Sequence, residues 1–391
     1  MTQHLRPTPL EIAAGRMLGE DPEAPALPEV DPALTPLEAL RESVLPALRR
    51  PPCLVTLSGG RDSSAVLAVA ADVARREGLP LPVPVTVRFS EAPGSSEPEW
   101  QEAVIRHLGL EEWLRLEVAE ELDLVGPVAG RILRRHGLVY PVNASLFLLL
   151  LEQAAGGSLL TGIGGDSMLG GWLFWHPAEV LARRGRPRPG DLLLAGYALT
   201  PPPARRLVTR HRTQSLPWLR PNVQRLVARE QGNAAARAPL RWGDHLALCL
   251  RQRSLVGAVG TISLLADDAG ALVAHPLIDP RFAAALARAG GWHGLGSRTS
   301  VMRALFGDLL PDELLSRSSK AQFLYVYFRA TSREFARRFG GEGLDPDAFD
   351  VEALRATWLS LMPPGTSALP LQAAWLASAG GEVEQPLADL G

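Results

Sequence analysis

The feature that most constrains the fold is a short glycine-rich turn, residues 58–64, which read SGGRDSS. The apolar residues Cys53–Leu57 before it are typical of a buried strand, and Ser63–Glu77 has the periodicity of a helix. Such a strand-turn-helix unit gathers backbone N–H groups at a helix N-terminus, which favours an anion. Two glycines alone would favour an ordinary turn, but the flanking serines and Asp62 favour a nucleotide-phosphate site. The Gly-Lys-Ser/Thr element of a Walker-type loop is missing.

The segments around this turn alternate between strand and helix patterns, which predicts an α/β fold with a parallel, doubly wound sheet. Further strand patterns cover Val83–Phe89, Leu114–Val118 and Ser158–Thr161, and helix patterns cover Leu37–Leu48, Glu97–Leu108 and Ala144–Ala155. Beyond about residue 175 strand patterns fade and helix patterns dominate. They cover Pro177–Arg184, Arg241–Leu265, Arg281–Ala289 and Thr299–Leu305.

These patterns predict three regions along the chain. Residues 1–35 form an N-terminal arm and linker, and residues 36–175 the α/β core. Residues 176–391 form a mainly helical C-terminal part that completes the active site with Lys320 and forms the substrate pocket. The last stretch, residues 331–391, carries no motif that we can interpret.

Composition excludes several classes of protein. A hydrophobic content of 46% supports buried cores, yet no apolar run approaches the ~20 residues needed to span a bilayer. The N-terminus lacks a secretory signal pattern, so we expect a cytoplasmic protein without membrane contact. A net charge of −2 without a dense basic run disfavours nucleic acid as a partner. Cys53 and Cys249 are expected to be buried thiols rather than a disulfide.

Lysine usage is unusual, because only one of the 40 Lys and Arg residues is a lysine, Lys320. An ammonium is compact and can lose its proton, whereas a guanidinium cannot, so the two residues are not interchangeable in a site. Composition alone leaves open whether Lys320 is required or survives by chance.

The turn at residues 58–64 resembles the SGG-x-DSS loop of ATP pyrophosphatases, which cleave ATP between the α and β phosphates. Three further segments make the chain similar to asparagine synthase-related synthetases. They are residues 161–172 (TGIGGDSMLGGW), residues 274–279 (AHPLID), and residues 301–320, with Met302-Arg303, Leu310-Pro311, Arg317 and Lys320. The resemblance spans roughly residues 36–330 and implies a sheet of the adenine-nucleotide alpha-hydrolase type.

The resemblance also implies roles for individual residues. Asp62 and Asp166 would hold Mg²⁺, and Lys320 would add positive charge as pyrophosphate departs; these three are the expected catalytic residues. A cap of the following turn is the alternative for Asp166. The expected ATP- and pyrophosphate-binding residues are Leu57, Ser58, Gly59, Gly60, Asp62, Ser63, Ser64, Val87, Thr161, Gly162 and Lys320. For Leu57 and Val87 an ordinary core position is nearly as good an interpretation, and Glu97 is either an acidic site position or a solvated helix terminus.

The activity implied by the resemblance is that of an asparagine synthetase-like, ATP-dependent, AMP-forming carbon–nitrogen ligase. Its partners would be a small-molecule or peptide carboxylate and an amine, and a partner protein that supplies substrate or nitrogen is left open. Glutamine-dependent members carry a preceding glutaminase domain with a nucleophilic cysteine directly after methionine. Here that residue is Thr2 and fewer than 60 residues precede the loop, so we expect no glutaminase activity.

Two departures from the family pattern bear on the product. Ile163 stands where ammonia-using members have glutamate and β-lactam-forming members have tyrosine, and isoleucine cannot accept the proton that an attacking amine must lose. Ser167 likewise replaces the glutamate that follows the metal aspartate. Both changes favour a specialised macrolactam or β-lactam-type cyclase, or a synthetase that modifies a ribosomally made peptide, similar to lasso-peptide cyclases.

Two alternatives come from other classes. An RNA-modifying ATP pyrophosphatase would predict a basic face and usually a zinc or CxxC element, which the sequence lacks. A catalytically weakened relative could bind nucleotide and serve as a partner protein. This alternative is disfavoured by the presence of Asp62, Asp166 and Lys320, since a purely structural protein does not need them.

Overall fold

The fold is described by a computed structural model over residues 5–89, 97–170, 172–181, 189–317 and 324–378. Its centre is a five-stranded, all-parallel sheet with strand order β3-β2-β1-β4-β5. The strands are β1 (Cys53–Thr56), β2 (Val83–Phe89), β3 (Leu114–Val118), β4 (Ser158–Leu160) and β5 (Leu272–Ala274). The predicted parallel α/β fold is therefore confirmed.

Helices surround the sheet and make up most of the second half of the chain. Those of the first half are α1 (Pro9–Ala14), α2 (Pro36–Leu48), α3 (Arg61–Glu77), α4 (Pro98–Leu108), α5 (Pro127–His136), α6 (Ala144–Gln153) and α7 (Gly165–Met168). The next group is α8 (Trp175–Leu181), α9 (Pro189–Leu199), α10 (Pro202–Arg212), α11 (Pro221–Ala236), α12 (Trp242–Arg251) and α13 (Arg253–Ala269). The last group is α14 (Pro280–Gly290), α15 (Arg298–Phe306), α16 (Asp312–Ser316), α17 (Ala330–Arg338), α18 (Val351–Leu359) and α19 (Ala368–Ser378).

Both faces of the sheet are covered, as the apolar strands predict. Leu54 of β1 and Leu159 of β4 lie in a core cluster with α6 and α13, while Val55 and Leu160 lie in the cluster with α2, α3 and α14. Successive strand residues point to opposite faces, so one apolar run serves both clusters. A further cluster around Trp218 and Trp358 packs α1 against the C-terminal helices.

The structure differs from the sequence-based expectation in several places, including these. β5 was not predicted, because its short apolar run comes just after α13, and periodicity cannot distinguish such a run from part of a buried helix. The stretch Arg241–Leu265, expected as one helix, is two, because the backbone of Gln252 is extended (φ −60°, ψ 124°) between α12 and α13. Residues 331–391 were left uninterpreted, yet their described part contains most of α17 and all of α18 and α19.

The fifth strand comes from the C-terminal part of the chain, so both predicted regions build one sheet. The boundaries at residues 35 and 175 themselves stay a prediction. Within the described residues, no helix has the length and apolar character required to cross a membrane.

The strand order determines where a ligand can bind. From β1 the chain goes to β2 on one side, whereas β4 pairs with β1 on the other side. Open α/β sheets form a crevice at such a point, outside the carboxyl ends of the strands. The turn at residues 58–64 follows β1, and residues 161–167 follow β4, so two of the predicted motifs meet at this crevice.

Candidate active site

The turn after β1 is held by its own serine hydroxyls. Gly59 has a φ of 85°, a conformation that favours glycine. The Ser58 and Ser63 Oγ atoms lie 3.1 Å apart, and the Ser58 N–H donates to Ser63 Oγ at 3.3 Å. Ser64 Oγ donates to the Gly60 carbonyl oxygen at 2.9 Å. Gly60 is the N-cap of α3 without a side-chain cap, so the helix start suits the anion that the sequence predicts.

Glycines bring the turn after β4 against the turn after β1. A Cβ atom on Gly162 would lie 2.9 Å from the backbone nitrogen of Ser63, too close for any real side chain. A Cβ on Gly165 would overlap the carboxyl group of Asp62. These close approaches place Asp62 beside Asp166, the next residue of α7.

Arg298, at the start of α15, joins the two aspartates. Its Nη2 donates to both carboxylate oxygens of Asp62, at 2.6 and 2.7 Å, and its Nη1 donates to Asp166 Oδ1. Burial lowers the pKa of the Arg298 guanidinium, but the attraction of both carboxylates outweighs burial, so the net shift is upward. The pair thus accommodates a cation, and its oxygen ligands are those that Mg²⁺ prefers.

A second arginine, Arg317, holds the turn from the opposite direction. Its Nη1 donates to the Gly59 carbonyl oxygen, its Nη2 pairs with Glu97, and its guanidinium lies 4.8 Å from the ring centre of Trp100. Burial, together with the positive charge of Arg61, lowers the pKa of Arg317. Glu97 therefore takes part in positioning the turn rather than standing in solvent.

Thr161, directly after β4, bonds to a histidine directly after β5. Thr161 Oγ1 lies 2.6 Å from His275 Nδ1, and the Ile163 N–H donates to the same hydroxyl at 3.4 Å. Burial lowers the pKa of His275 to about 4, so the imidazole is neutral at pH 7. Its Nε2 is buried and has no hydrogen-bond partner among the described residues.

The contacts of this cluster do not test the roles of three other predicted site residues. Leu57 is in the core, and its carbonyl oxygen accepts from Thr86 at 2.9 Å and from Gln101 at 3.5 Å. Val87 is partly buried between two core clusters. The adenosine-side role of both stays a prediction. Lys320 lies outside the described residues, so its role is also still a prediction.

Cys53 and Cys249 are both buried and free, as expected. Cys249 packs beside His245, whose Nε2 lies 3.3 Å from the Ser167 carbonyl oxygen behind α7. Burial raises the pKa of the Cys249 thiol to about 12, which keeps it protonated and unreactive.

Comparison with models of protein families matches residues 37–363 to the family described as asparagine synthase. The chain belongs to the asparagine synthase family. A search of curated proteins finds no match. The match covers both motifs at the crevice and the segments that supply His275, Arg298 and Arg317. The family is one of ligases of the ATP-dependent amide-forming synthetase type, which generally use ATP with Mg²⁺.

Sequence reasoning missed three residues of this asparagine synthase-family site. His275 and Arg317 lie within segments that resemble the family, but they were given no role. Arg298 lies just before such a segment and is 236 positions away from Asp62. In a chain so rich in arginine, no sequence pattern marks Arg298. The available signals were the positions of His275, near the start of the motif at residues 274–279, and of Arg317, within the segment at residues 301–320.

Proposed function

We propose that this asparagine synthase-family protein activates a carboxylate with ATP and transfers the acyl group to an amine. In the first step a carboxylate oxygen attacks the α-phosphorus, the bond to the bridging oxygen of the β-phosphate breaks, and pyrophosphate leaves. In the second step the amine attacks the acyl-adenylate, loses a proton and displaces AMP. The observation that carries the proposal is the meeting of the turn at residues 58–64 with Asp62 and Asp166 at the crevice of the sheet.

The described residues support the binding part of this reaction. Ser58 and Ser63 present hydroxyls at the start of α3, where the helix dipole stabilises phosphate charge. Arg317 donates a hydrogen bond to the Gly59 carbonyl oxygen, which holds the turn in one conformation. Asp62 and Asp166 would hold Mg²⁺, which, when bound, neutralises charge on the triphosphate. Lys320, if it reaches the turn, would stabilise the charge that develops on the leaving pyrophosphate.

The surroundings of Ile163 bear on the amine. Its side chain packs against the apolar cluster that contains Leu159 and Ile262, and it offers no proton acceptor. Ammonium at neutral pH would need such an acceptor before it could attack. This arrangement favours a cyclising or peptide-modifying synthetase, in which the substrate or another residue takes the proton.

The test is ATP–pyrophosphate exchange with Mg²⁺ over a panel of aspartate, other amino acids and leader-bearing peptides. Exchange that depends on one carboxylate and is lost in Asp62→Asn and Lys320→Ala would support adenylation and identify the acyl donor. Gly196→Ala is a matched control, because a methyl group there meets nothing within 4 Å on the exposed helix α9. Tight ATP binding without exchange for any carboxylate would instead favour a nucleotide-binding partner protein.

A further inference from the structure

Asp62 and Asp166 already share a cation, the guanidinium of Arg298. The side chain donates to both oxygens of Asp62 and to one of Asp166, so it lies across the two carboxylates that are expected to hold the metal. A guanidinium in this position and a divalent cation cannot bind the same oxygens together, because like charges repel strongly at such distances. The two cations must therefore compete.

The arginine is built into the site rather than resting on its surface. Its aliphatic part runs so close to Gly170 that a Cβ there would lie 2.8 Å from its Cβ and Cδ atoms. Ser297 caps α15 by accepting from the Ser300 N–H, which fixes the backbone at Arg298. The stem is thus held between two elements, while the guanidinium meets the carboxylates.

The guanidinium also has hydrogen-bonding capacity that the carboxylates do not use. Its Nε is buried and has no partner among the described residues. Buried donors normally have an acceptor, and each exception calls for an explanation. Phosphate oxygens are suitable acceptors, since arginine binds phosphate through two parallel N–H groups.

We propose that Arg298 is an exchangeable counter-ion that keeps free divalent metal off the Asp62–Asp166 pair until a triphosphate offers the guanidinium new acceptors. Metal then enters together with ATP rather than before it. Such a shift requires only that the triphosphate binds Arg298 better when the carboxylates are occupied by metal. The inference rests on the proposed function only in taking these two aspartates as metal ligands.

The experiment is a Mn²⁺ titration without nucleotide, at fixed ionic strength, with free Mn²⁺ measured by electron paramagnetic resonance. The wild type should bind Mn²⁺ weakly, and Arg298→Gln should bind about tenfold more tightly or better. Arg281→Gln, which removes an exposed arginine paired with Glu42 at 2.6 Å, controls for overall charge and should match the wild type. Adding Asp166→Asn to Arg298→Gln should abolish the gain.

A second arm adds a nonhydrolysable α,β-methylene analogue of ATP, and a protein-free titration corrects for the Mn²⁺ that the analogue itself binds. The Mn²⁺ affinity of the wild type should then rise and approach that of Arg298→Gln. Circular dichroism of each variant checks folding. Equal or weaker Mn²⁺ binding by folded Arg298→Gln without nucleotide would overturn the inference. Because no carboxylate substrate is present, a failure here is distinguishable from a failure of ATP–pyrophosphate exchange.

Discussion

Thr161 Oγ1 and His275 Nδ1 lie 2.6 Å apart and connect the carboxyl ends of β4 and β5. The bond joins a motif residue of the first half of the chain to one that follows the last strand. Because burial lowers the pKa of His275 to about 4, the histidine is neutral at pH 7. Protonation would therefore disturb both the core and the position of Thr161.

Acid should destabilise the fold through two histidines. Burial lowers the pKa of His245 and of His275 to about 4, whereas an unfolded histidine titrates near pH 6.5. Below about pH 6.5 the unfolded state binds more protons, so the free energy of unfolding falls toward pH 4, by at most about 1.4 kcal/mol per pH unit per histidine. In urea unfolding between pH 7 and 5, the free energy of unfolding of His245→Gln should fall less steeply with pH than that of the wild type. His211→Gln, which alters an exposed histidine, should behave like the wild type. The same pH dependence in all three proteins would contradict the role given to His245.

Arg317→Lys should weaken ATP binding, by about tenfold or more. A lysine keeps the charge but cannot reach the Gly59 carbonyl and Glu97 together, so the turn loses its support. Isothermal titration with ATP and Mg²⁺ measures the effect. Arg303→Lys, which alters an exposed pair with Asp312, is the control and should bind ATP like the wild type. Unchanged ATP affinity in Arg317→Lys would show that the turn does not depend on the contacts of Arg317 with Gly59 and Glu97.

Gly165→Ala should lose most ATP–pyrophosphate exchange while the protein remains folded. The added methyl group would overlap the carboxyl group of Asp62 and push it away from Asp166. A small displacement of a catalytic group commonly costs about a hundredfold in rate. Gly196→Ala should retain the exchange rate and melting temperature of the wild type. Normal exchange in Gly165→Ala would mean that the two carboxylates need not be so close.

Glu11→Gln should lower the free energy of unfolding by about 2 kcal/mol. Glu11 is buried and accepts from Arg253 at 2.8 and 3.0 Å, which ties α1 to α13. Burial raises the pKa of Glu11, but hydrogen bonds from Arg253, Leu18 and Thr8 outweigh it and leave the pKa below its ordinary value. Chemical denaturation at pH 7 measures the loss. The exposed Glu334→Gln should change little, and a similarly small effect at Glu11 would disprove the anchoring role.

Sequence patterns predicted the strands and the turn that short stretches of neighbouring residues determine. β2 and β3 have the predicted bounds, because each is an apolar or alternating run between clear breaks. The turn at residues 58–64 combines glycines, serines and an aspartate in a context that local chemistry explains. The approach of Asp62 to Asp166 needed the resemblance as well, since nothing local relates the two.

The long-range contacts could not be predicted in the same way. Arg298 contacts partners in two turns that are distant in the sequence. Arg317 donates to a backbone carbonyl oxygen, and every residue has one, so the residue type of the partner does not predict the contact. β5 is a short apolar run in a part of the chain that is otherwise helical, and only its pairing with β4 shows that it is a strand. In each case the tertiary arrangement decides the role, and the residue type only permits it.

The most direct test of the central claim is product analysis with ATP labelled at the α-phosphate, using the carboxylate that supports exchange and an excess of amine. The account predicts labelled AMP and unlabelled pyrophosphate, each formed in an amount equal to that of the amide. None of these products should form with Asp62→Asn. Labelled ADP with inorganic phosphate would contradict it, because ATP would then be cleaved between the β and γ phosphates.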